Sequence, residues 1–289
     1  MRSTDVFLAH RNLLFTVAYE MLGSAADAED VLQEAWLRWA DVDLDVVRDE
    51  RAYLVRITTR LALNKMRSLA RRRESYVGQW LPEPLLTAPD VADDVALAES
   101  VSTAMLLVLE TLSSTERAVF VLREVFDVPY DEIAEAVQKS PAAVRQIAHR
   151  ARAHVEARRP RTSVTSDQVD AVMKRFLTAA TTGDIQSLMD VLAPEVVLLT
   201  DGGGIKKAAL RPIEGRDKVV RFLAAVAGQG ADLADVVSLN AAPALRLWLD
   251  GAVEAVVSLH VTDGTVSALY LVRNPEKLTA IDHEVALRR

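Results

Sequence analysis

Hydrophobic residues in the first 160 positions recur three and four residues apart, which is the spacing of one face of an α-helix. Polar residues fill the intervening positions, and Gly23 is placed to end the first of these stretches. The predicted helices cover residues 4–22, a segment that begins within residues 24–27, and residues 49–73, 91–112 and 113–125. The first half of the chain is therefore predicted to be all-helical.

The stretch from 129 to 159 has the outline of a helix-turn-helix. A short helix with an apolar face is followed by a three-residue break, and Ser140 with Pro141 then supplies a cap residue and a first-turn proline. In the second helix Val144 and Ile147 fall on one side, and hydrogen-bond donors fall on the other. A helix in the DNA major groove needs donors on its outer face. The alternative is a solvated basic helix that packs on its neighbour and binds nothing.

The pattern changes after residue 73 and again near residue 166. Residues 80–84 read Trp-Leu-Pro-Glu-Pro, and proline cannot continue a helix, so this segment is predicted to be a linker. We expect Trp80 to be buried against a neighbouring domain, because a flexible spacer gains nothing from an exposed indole. In the last third, helical segments precede alternating strands, and Asp263-Gly264 is a two-residue hairpin signal. This part is predicted to be α+β, with a curved antiparallel sheet.

These changes divide the chain into four predicted parts. Residues 1–75 form a helical bundle, 76–93 a proline-containing linker, 94–160 a second all-α domain with the helix-turn-helix, and 167–289 the α+β domain.

Charge is distributed unevenly along the chain, and local sign decides which partner a surface attracts. The net charge is −7, yet ten acidic residues between Glu20 and Glu50 are accompanied by only Arg38 and Arg48. The helix over 49–73 instead carries a stripe of basic and polar side chains opposite its apolar flank, which suits a phosphate backbone and an unstacked base. The acids of the second predicted helix, Asp27, Glu29, Asp30 and Glu34, form either a solvated face or a docking surface for a basic partner. The stripe likewise is either a ligand-free basic surface or a nucleic-acid contact.

The chain has no cysteine, which excludes disulfides and thiolate zinc sites, and we expect neither a metal nor a cofactor. No apolar run reaches the length needed to span a bilayer, and no secretion signal precedes the first helix. A cytoplasmic protein without a membrane partner is the simplest interpretation.

Three segments together resemble a bacterial sigma factor of the extracytoplasmic-function (ECF) class. Residues 27–36, Asp-Ala-Glu-Asp-Val-Leu-Gln-Glu-Ala-Trp, resemble the polymerase-binding helix of sigma region 2. Residues 51–67 resemble the helix that opens and reads the minus-ten promoter element, and the helix-turn-helix resembles region 4, which reads the minus-thirty-five element. Gln138 stands where the turn of region 4 usually has glycine.

The resemblance implies two partners, the RNA polymerase core enzyme and promoter DNA, and three sets of contact residues. The implied polymerase contacts are Asp27, Glu29, Asp30, Gln33, Glu34 and Trp36. The implied minus-ten contacts are Tyr53, Arg56, Arg60, Asn64, Arg67 and Arg71. The implied minus-thirty-five contacts are Lys139, Ser140, Arg145, Gln146, His149, Arg150 and Arg152.

Three further motifs are Trp-Leu-Pro-Glu-Pro at residues 80–84, Asp-Gly-Gly-Gly at 201–204 and Asn-Pro-Glu-Lys-Leu at 274–278. Together they are similar to motifs of the ECF subgroup with a fused SnoaL-like C-terminal domain, a fold that forms a conical pocket. This resemblance implies that the C-terminal domain replaces a separate anti-sigma protein, rests on the linker, and sets how far apart the two DNA readers can stand. The implied regulatory residues are Trp80, Leu81, Pro82, Glu83, Pro84, Asp201, Gly202, Gly203, Gly204, Asn274, Pro275, Glu276, Lys277 and Leu278.

Two alternatives remain open at the level of sequence. Some SnoaL-like domains are cyclases, isomerases or hydrolases, and the groups available for such chemistry, or for an unidentified small ligand, are Asp201, His260, Asp282 and His283. No spacing fixes a nucleophile and base among them, and Asp201 beside a glycine run is typical of a turn. The other alternative is an ordinary transcription regulator with a ligand-binding tail, which would not need the acidic helix.

Overall fold

The computed structural model describes residues 2–88, 91, 94–159, 166–227 and 233–289. The chain forms two compact units. The first contains residues 1–74, 90–159 and 285–289, and the second contains residues 75–89 and 160–284. The predicted linker is therefore largely part of the second unit, and the last five residues belong to the first.

A three-helix bundle opens the first unit. Its helices are α1 (Arg2–Leu22), α2 (Ala25–Ala40) and α3 (Glu50–Glu74). Gly23 takes a φ of 67° and donates its N–H to the Tyr19 carbonyl at 2.7 Å, which ends α1. Ser24 caps α2 by accepting a hydrogen bond from the Asp27 N–H. The predicted boundaries in this part agree with the structure to within about two residues.

The prediction of one continuous helix over 91–112 is wrong. The structure has α4 (Val95–Val101) and α5 (Thr103–Glu110), which meet at Ser102. The Ser102 hydroxyl donates to the Glu99 carbonyl and accepts from the Met105 N–H, so one side chain ends the first helix and starts the second. Hydrophobic periodicity continues across such a break, and it therefore did not reveal the break.

The helix-turn-helix completes the first unit. Helix α6 (Ser114–Phe120) starts in a capping box at Ser113 and continues into a π-helical turn over Val121–Val125. Helices α7 (Tyr130–Val137) and α8 (Pro141–Glu156) follow. Apolar side chains of α6, α7 and α8 are buried together, and this burial fixes which side of α8 faces outward.

Within its described residues, the second unit has three α-helices and six strands. The helices are α9 (Ser166–Thr182), α10 (Ile185–Val191) and α11 (Arg216–Ala227). The strands are β1 (Leu192–Asp201), β2 (Ile213–Glu214), β3 (Leu233–Leu239), β4 (Ala242–Leu249), β5 (Ala252–Thr262) and β6 (Thr265–Val272). The α+β class predicted for the last third is confirmed.

The strands form one sheet in the order β2-β1-β6-β5-β4-β3. Four of the neighbouring pairs are antiparallel, as predicted, but β1 and β6 run parallel, so the sheet is mixed. Alternation of apolar residues shows which face of a strand is buried and does not reveal the direction of its neighbour. The hairpin at Asp263-Gly264 is confirmed, with φ of 50° and 75° at the two turn residues.

An apolar cluster of α9, α10, α11 and one face of the sheet fills the interior of the second unit. Phe176, Leu188, Val219, Val266 and Leu269 are among its most buried members. Within the described residues, no helix is long and apolar enough to cross a membrane.

Candidate functional site

Helix α8 presents its polar side to solvent. Ser140 accepts a hydrogen bond from the Ala143 N–H at 3.2 Å, and Pro141 occupies the first turn, so the helix starts where the sequence predicts. Val144 and Ile147 are buried and fix the inner face. The exposed side chains on the outer face include Arg145, Gln146 and His149.

The turn before α8 and its basic side chains complete this surface. Gln138 adopts the left-handed region at a φ of 57°, the conformation for which glycine is usual. Lys139 and Arg150 are exposed. Arg152 forms an ion pair with Glu124 at 2.6 Å, so a phosphate would compete with that carboxylate for it.

The stripe on α3 is exposed at one end and covered at the other. Asn64 and Arg67 are exposed, and the Arg67 guanidinium donates to the side-chain amide oxygen of Asn64 at 3.2 Å. Tyr53, Arg56 and Arg60 are only partly exposed. The side chain of Arg71 lies outside the described part of the structure.

Helix α7 of the helix-turn-helix is what covers the first end of the stripe. The Glu135 carboxylate pairs with Arg56 at 2.6 Å, and the Glu135 carbonyl accepts from the Arg60 guanidinium at 2.7 Å. Arg56 also lies 5.0 Å from the centre of the Tyr53 ring. Two predicted minus-ten contacts are therefore bound to the predicted minus-thirty-five reader in this structure.

Every predicted acidic contact on α2 has a basic partner within the bundle. Lys65 bridges Asp27 and Asp30, at 2.9 Å from each, while Glu29 pairs with Arg11. Glu34 pairs with Arg38 one turn away at 2.6 Å. Gln33 is exposed, and Trp36 packs its ring edge-on to Phe7 at 5.3 Å. The acidic face is thus compensated within the bundle and partly exposed.

A buried polar network joins α1 to the second helical segment, by which we mean helices α4, α5 and α6. Glu20 is fully buried, and the Ser100 hydroxyl donates to its carboxyl group at 2.7 Å. Burial raises the pKa of Glu20 to about 8, against the lowering effects of Ser100 and the Arg117 charge. The Arg117 guanidinium donates to the Glu20 backbone carbonyl at 2.9 Å. The Glu110 carboxylate forms ion pairs with both Arg117 and Arg73. Of the ten acids counted between residues 20 and 50, Glu20 is therefore buried and adds nothing to a surface charge.

The second unit contains a site built on the Asp201 carboxylate, at the end of β1. Asp201 is completely buried, and its carboxylate accepts four hydrogen bonds. The donors are the Tyr76 hydroxyl at 2.6 Å, the Leu81 N–H at 2.9 Å, the Gly203 N–H at 3.0 Å and the Lys277 ammonium at 2.7 Å. We call Tyr76, Leu81, Asp201, Asn274 and Lys277 the linker site, because two of them belong to the linker.

Lys277 and Asn274 hold the linker from the other side. The Lys277 ammonium donates to the Leu81 carbonyl at 2.5 Å and lies 4.3 Å from the centre of the Trp80 ring. The Asn274 amide donates to the Tyr76 hydroxyl at 2.9 Å. The expected burial of Trp80 is realised only in part, since its ring packs under an ammonium and remains partly exposed.

Glycine is required in the loop after β1 because the backbone approaches its neighbours closely. Gly203 has a φ of 62°, and a Cβ there would overlap the Asn274 side chain. At Gly202 a Cβ would overlap the Lys206 carbonyl. The remaining motif residues frame the site: Pro82, Glu83 and Pro84 are buried, the Glu276 N–H donates to the Asn274 side chain, Pro275 opens that turn, and Leu278 is buried.

Further along, the linker pairs with the edge of the sheet. Leu86 forms an antiparallel bridge with Leu239, and the Thr87 N–H donates to the Ser238 carbonyl at 2.9 Å. The Asn240 side chain accepts from the Leu85 N–H at 3.1 Å. The linker thus adds a short strand to β3, which would otherwise be an open edge.

Both carboxylates considered for catalysis have structural partners. Asp201 holds the linker, and Asp282 pairs with Arg246 at 2.9 Å. His260 is half-buried, which lowers its pKa, and His283 is exposed. Each of the two carboxylates is bound to a cation, so neither is a free base.

Several contributors were not foreseen. A tyrosine four residues before a tryptophan gives no periodic signal, and neither Tyr76 nor Asn240 belongs to a motif. Glu20 did carry a signal, because it stands in an otherwise apolar stretch with Ala18, Met21 and Leu22.

Comparisons with known proteins cover nearly the whole chain. A family model described as sigma-70 region 2 matches residues 6–72, and one described as sigma-70, region 4, matches residues 102–155. The ECF RNA polymerase sigma factor SigJ of Mycobacterium tuberculosis is 40% identical over 288 residues, with 94% of this chain and 92% of that protein covered.

One further relative and one solved structure agree. The probable ECF RNA polymerase sigma factor SigI of the same species is 31% identical over 280 residues, covering 96% of this chain and 95% of that protein. The crystal structure of SigJ matches with a TM-score of 0.78 at 35% identity, covering 96% of this chain and 99% of that chain. The chain therefore belongs to the ECF sigma factors of RNA polymerase and directs promoter-specific transcription initiation.

Proposed function

We propose that α8 reads the minus-thirty-five element, α3 reads the minus-ten element, and α2 docks on the polymerase core. This assigns residues 1–75 to region 2, 94–160 to region 4 and 167–289 to a regulatory domain, with 76–93 as the linker. The observation that carries the proposal is the exposure of Arg145, Gln146 and His149 on a helix whose opposite face is buried. That face can enter a major groove without any change in the helix.

Within α8 the side chains divide by reach. Arg145, Gln146 and His149 contact base edges, while Lys139, Arg150 and Arg152 contact phosphates. Ser140 fixes the helix start and therefore the depth to which the base-reading residues enter the groove.

Helix α2 docks through its acidic side. The pairs that Glu29 and Glu34 form are exposed at both partners, and exposed ion pairs contribute little to stability. Glu29 and Glu34 can therefore leave Arg11 and Arg38 and pair with a basic polymerase surface at little cost in stability. Trp36 and Gln33 contribute apolar and hydrogen-bonding contacts beside the carboxylates.

The C-terminal domain modulates the sigma regions through the linker. About 20 residues join α3 to α4, and an extended segment of that length reaches roughly 70 Å. The two promoter elements, roughly 25 base pairs apart, are separated by about 85 Å at about 34 Å per turn. A linker bound at Asp201 and paired along β3 loses most of its reach, so region 4 stays on α3 and Glu135 covers Arg56 and Arg60.

The proposal includes no catalysis by the C-terminal domain. Its relatives among the sigma factors are regulators, and the described interior of the cone is filled by an apolar cluster. A small ligand would have to displace part of that cluster.

Binding of the purified full chain to core polymerase without DNA tests the assignment most directly. We expect a stable complex, and the complex should transcribe from a promoter that the core alone does not use. Stoichiometric binding to promoter DNA without any binding to core would instead indicate an ordinary transcription regulator.

A further inference from the structure

The last five residues, Val285–Arg289, form a tail that belongs to the first compact unit, although the preceding residues belong to the second. Leu287 is only 4% exposed, whereas its neighbours Ala286 and Arg288 are exposed. One buried leucine between exposed residues is the pattern of a peptide anchored by a single side chain.

The backbone of the tail binds a prepared acceptor on α1. Thr16 is fully buried, and its hydroxyl donates to the Asn12 carbonyl at 2.8 Å. The hydroxyl hydrogen is thereby used within the helix, which leaves the oxygen free to accept. The Arg288 N–H fills that acceptor at 3.1 Å.

The last side chain reaches the start of α4. The Arg289 guanidinium pairs with the Asp94 carboxylate at 2.6 Å through one oxygen, while the other oxygen accepts from the Leu97 N–H as the cap of α4. This ion pair is partly exposed, so it sets the register of the tail more than its affinity. Leu287 and the Arg288 N–H supply the main attachment.

The tail contacts two separate helices of the first unit. Thr16 lies on α1 within region 2, and Asp94 caps α4, which directly precedes the region 4 match at residues 102–155. Because the tail is covalently attached, its docking is intramolecular and does not depend on protein concentration. The part of the chain before it is fixed in the second unit by Asp282, which pairs with Arg246.

We propose that the tail is an intramolecular latch that joins region 2 to region 4, and that the surface between α1 and the start of α4 is a binding site for this C-terminal peptide. The regulatory part rests on the proposed function, since it requires that transcription needs the two regions to separate. The latch acts independently of the linker site, with which it shares no residue.

Docking and regulation can be measured separately in the full chain. Carboxypeptidase B removes C-terminal arginines, and a docked tail should be trimmed several-fold more slowly than an undocked one. Leu287→Asp should accelerate trimming, and Asp94→Asn should do so more weakly, because it keeps the cap of α4 and removes the charge. Ala286→Asp is the matched control, since it places the same new carboxylate in the same tail at an exposed position one residue away from Leu287.

Transcription with core polymerase gives the second readout. Truncation after Glu284 and Leu287→Asp should each raise promoter-directed output several-fold, while Ala286→Asp should not. A synthetic peptide of residues 285–289 should bind the truncated chain and bind the full chain at least several-fold more weakly, because its site is already occupied.

Two results would overturn the latch. Equal trimming rates in the wild type and Leu287→Asp would show that the tail is not docked. Slow trimming combined with unchanged output after truncation would show a docked tail without a regulatory role. Failure of the proposed function would look different, since neither the full nor the truncated chain would then bind core polymerase.

Discussion

Glu20 shows how one buried side chain can make the two sigma regions sensitive to pH. It lies in region 2, but the groups that surround it, Ser100 and Arg117, come from the second helical segment. The folded protein holds the Glu20 proton to about pH 8, whereas an unfolded chain releases it near the ordinary value of 4.5. Between these values unfolding releases a proton, so raising the pH destabilises the fold.

Glu20→Gln should remove this pH dependence. The slope of unfolding free energy against pH should become less negative by up to about 1.4 kcal/mol per pH unit between about pH 5 and pH 8, because glutamine cannot ionise. Chemical denaturation of the full chain at several pH values measures it. The Ser113 hydroxyl lowers the pKa of Glu116, so Glu116→Gln should leave the slope unchanged over this range. Identical slopes for Glu20→Gln and the wild type would show that Glu20 ionises normally.

Gly203 offers a second test at the scale of a single residue. Gly203→Ala places a Cβ on the Asn274 side chain at a positive φ, while Gly251→Ala meets nothing within 4 Å at a similar φ of 75°. The backbone strain of about 1–2 kcal/mol is shared by both variants, so any further loss in Gly203→Ala reports the displacement of Asn274. Limited proteolysis should cut the linker faster in Gly203→Ala only. Equal cleavage in the two variants would count against a role for Asn274 in holding Tyr76.

At the scale of elements, α8 combines two requirements in one sequence. Its apolar residues must pack on α6 and α7, and its donors must then point outward at fixed intervals. Ser140 and Pro141 satisfy both, because they fix the residue at which the helix begins and therefore the rotation of its outer face.

Arg145→Ala should weaken specific promoter binding by about 1–3 kcal/mol, the value of one good base contact, and should barely change binding to random DNA. Arg158→Ala is the matched control, because it removes an exposed arginine beyond α8. Competition binding at constant salt measures both. If Arg145→Ala loses equal affinity for both kinds of DNA, Arg145 is a phosphate contact instead.

At the scale of the whole molecule, the linker is better described as part of the C-terminal domain than as a spacer. Residues 75–89 bind a buried carboxylate near one end and extend the sheet near the other. Region 2 and region 4 are therefore connected through a folded domain. Under the proposed function, the state of that domain sets the length of chain available to separate them.

Asp201→Asn should release the linker and raise promoter-directed transcription. Removing the charge leaves the Lys277 ammonium without its carboxylate, and breaking a buried ion pair costs about 3–5 kcal/mol. Denaturation measures the loss of stability, limited proteolysis measures the release of the linker, and transcription with core polymerase measures the output. Asp263→Asn makes the same charge change at an exposed hairpin turn and should be neutral. Faster linker cleavage without any change in transcription would separate the linker from regulation.

Most elements and their chemistry can be predicted from local sequence patterns. Helical periodicity, the cap at Ser140, the hairpin at Asp263-Gly264 and the three motifs of the subgroup are local patterns, because each depends on residues close together in the chain. The ECF class followed from the order of these local patterns, and the comparisons confirm it.

Only the tertiary structure decided which groups meet. Tyr76 and Asp201 are 125 residues apart, and Arg56 and Glu135 are 79 apart, and no period in the sequence records such pairs. The parallel pairing of β1 with β6, the burial of Glu20 and the return of the tail to α1 likewise depend on how distant elements pack. Side-chain patterns specify which face of an element is buried, and the neighbour that covers that face is chosen by the fold as a whole.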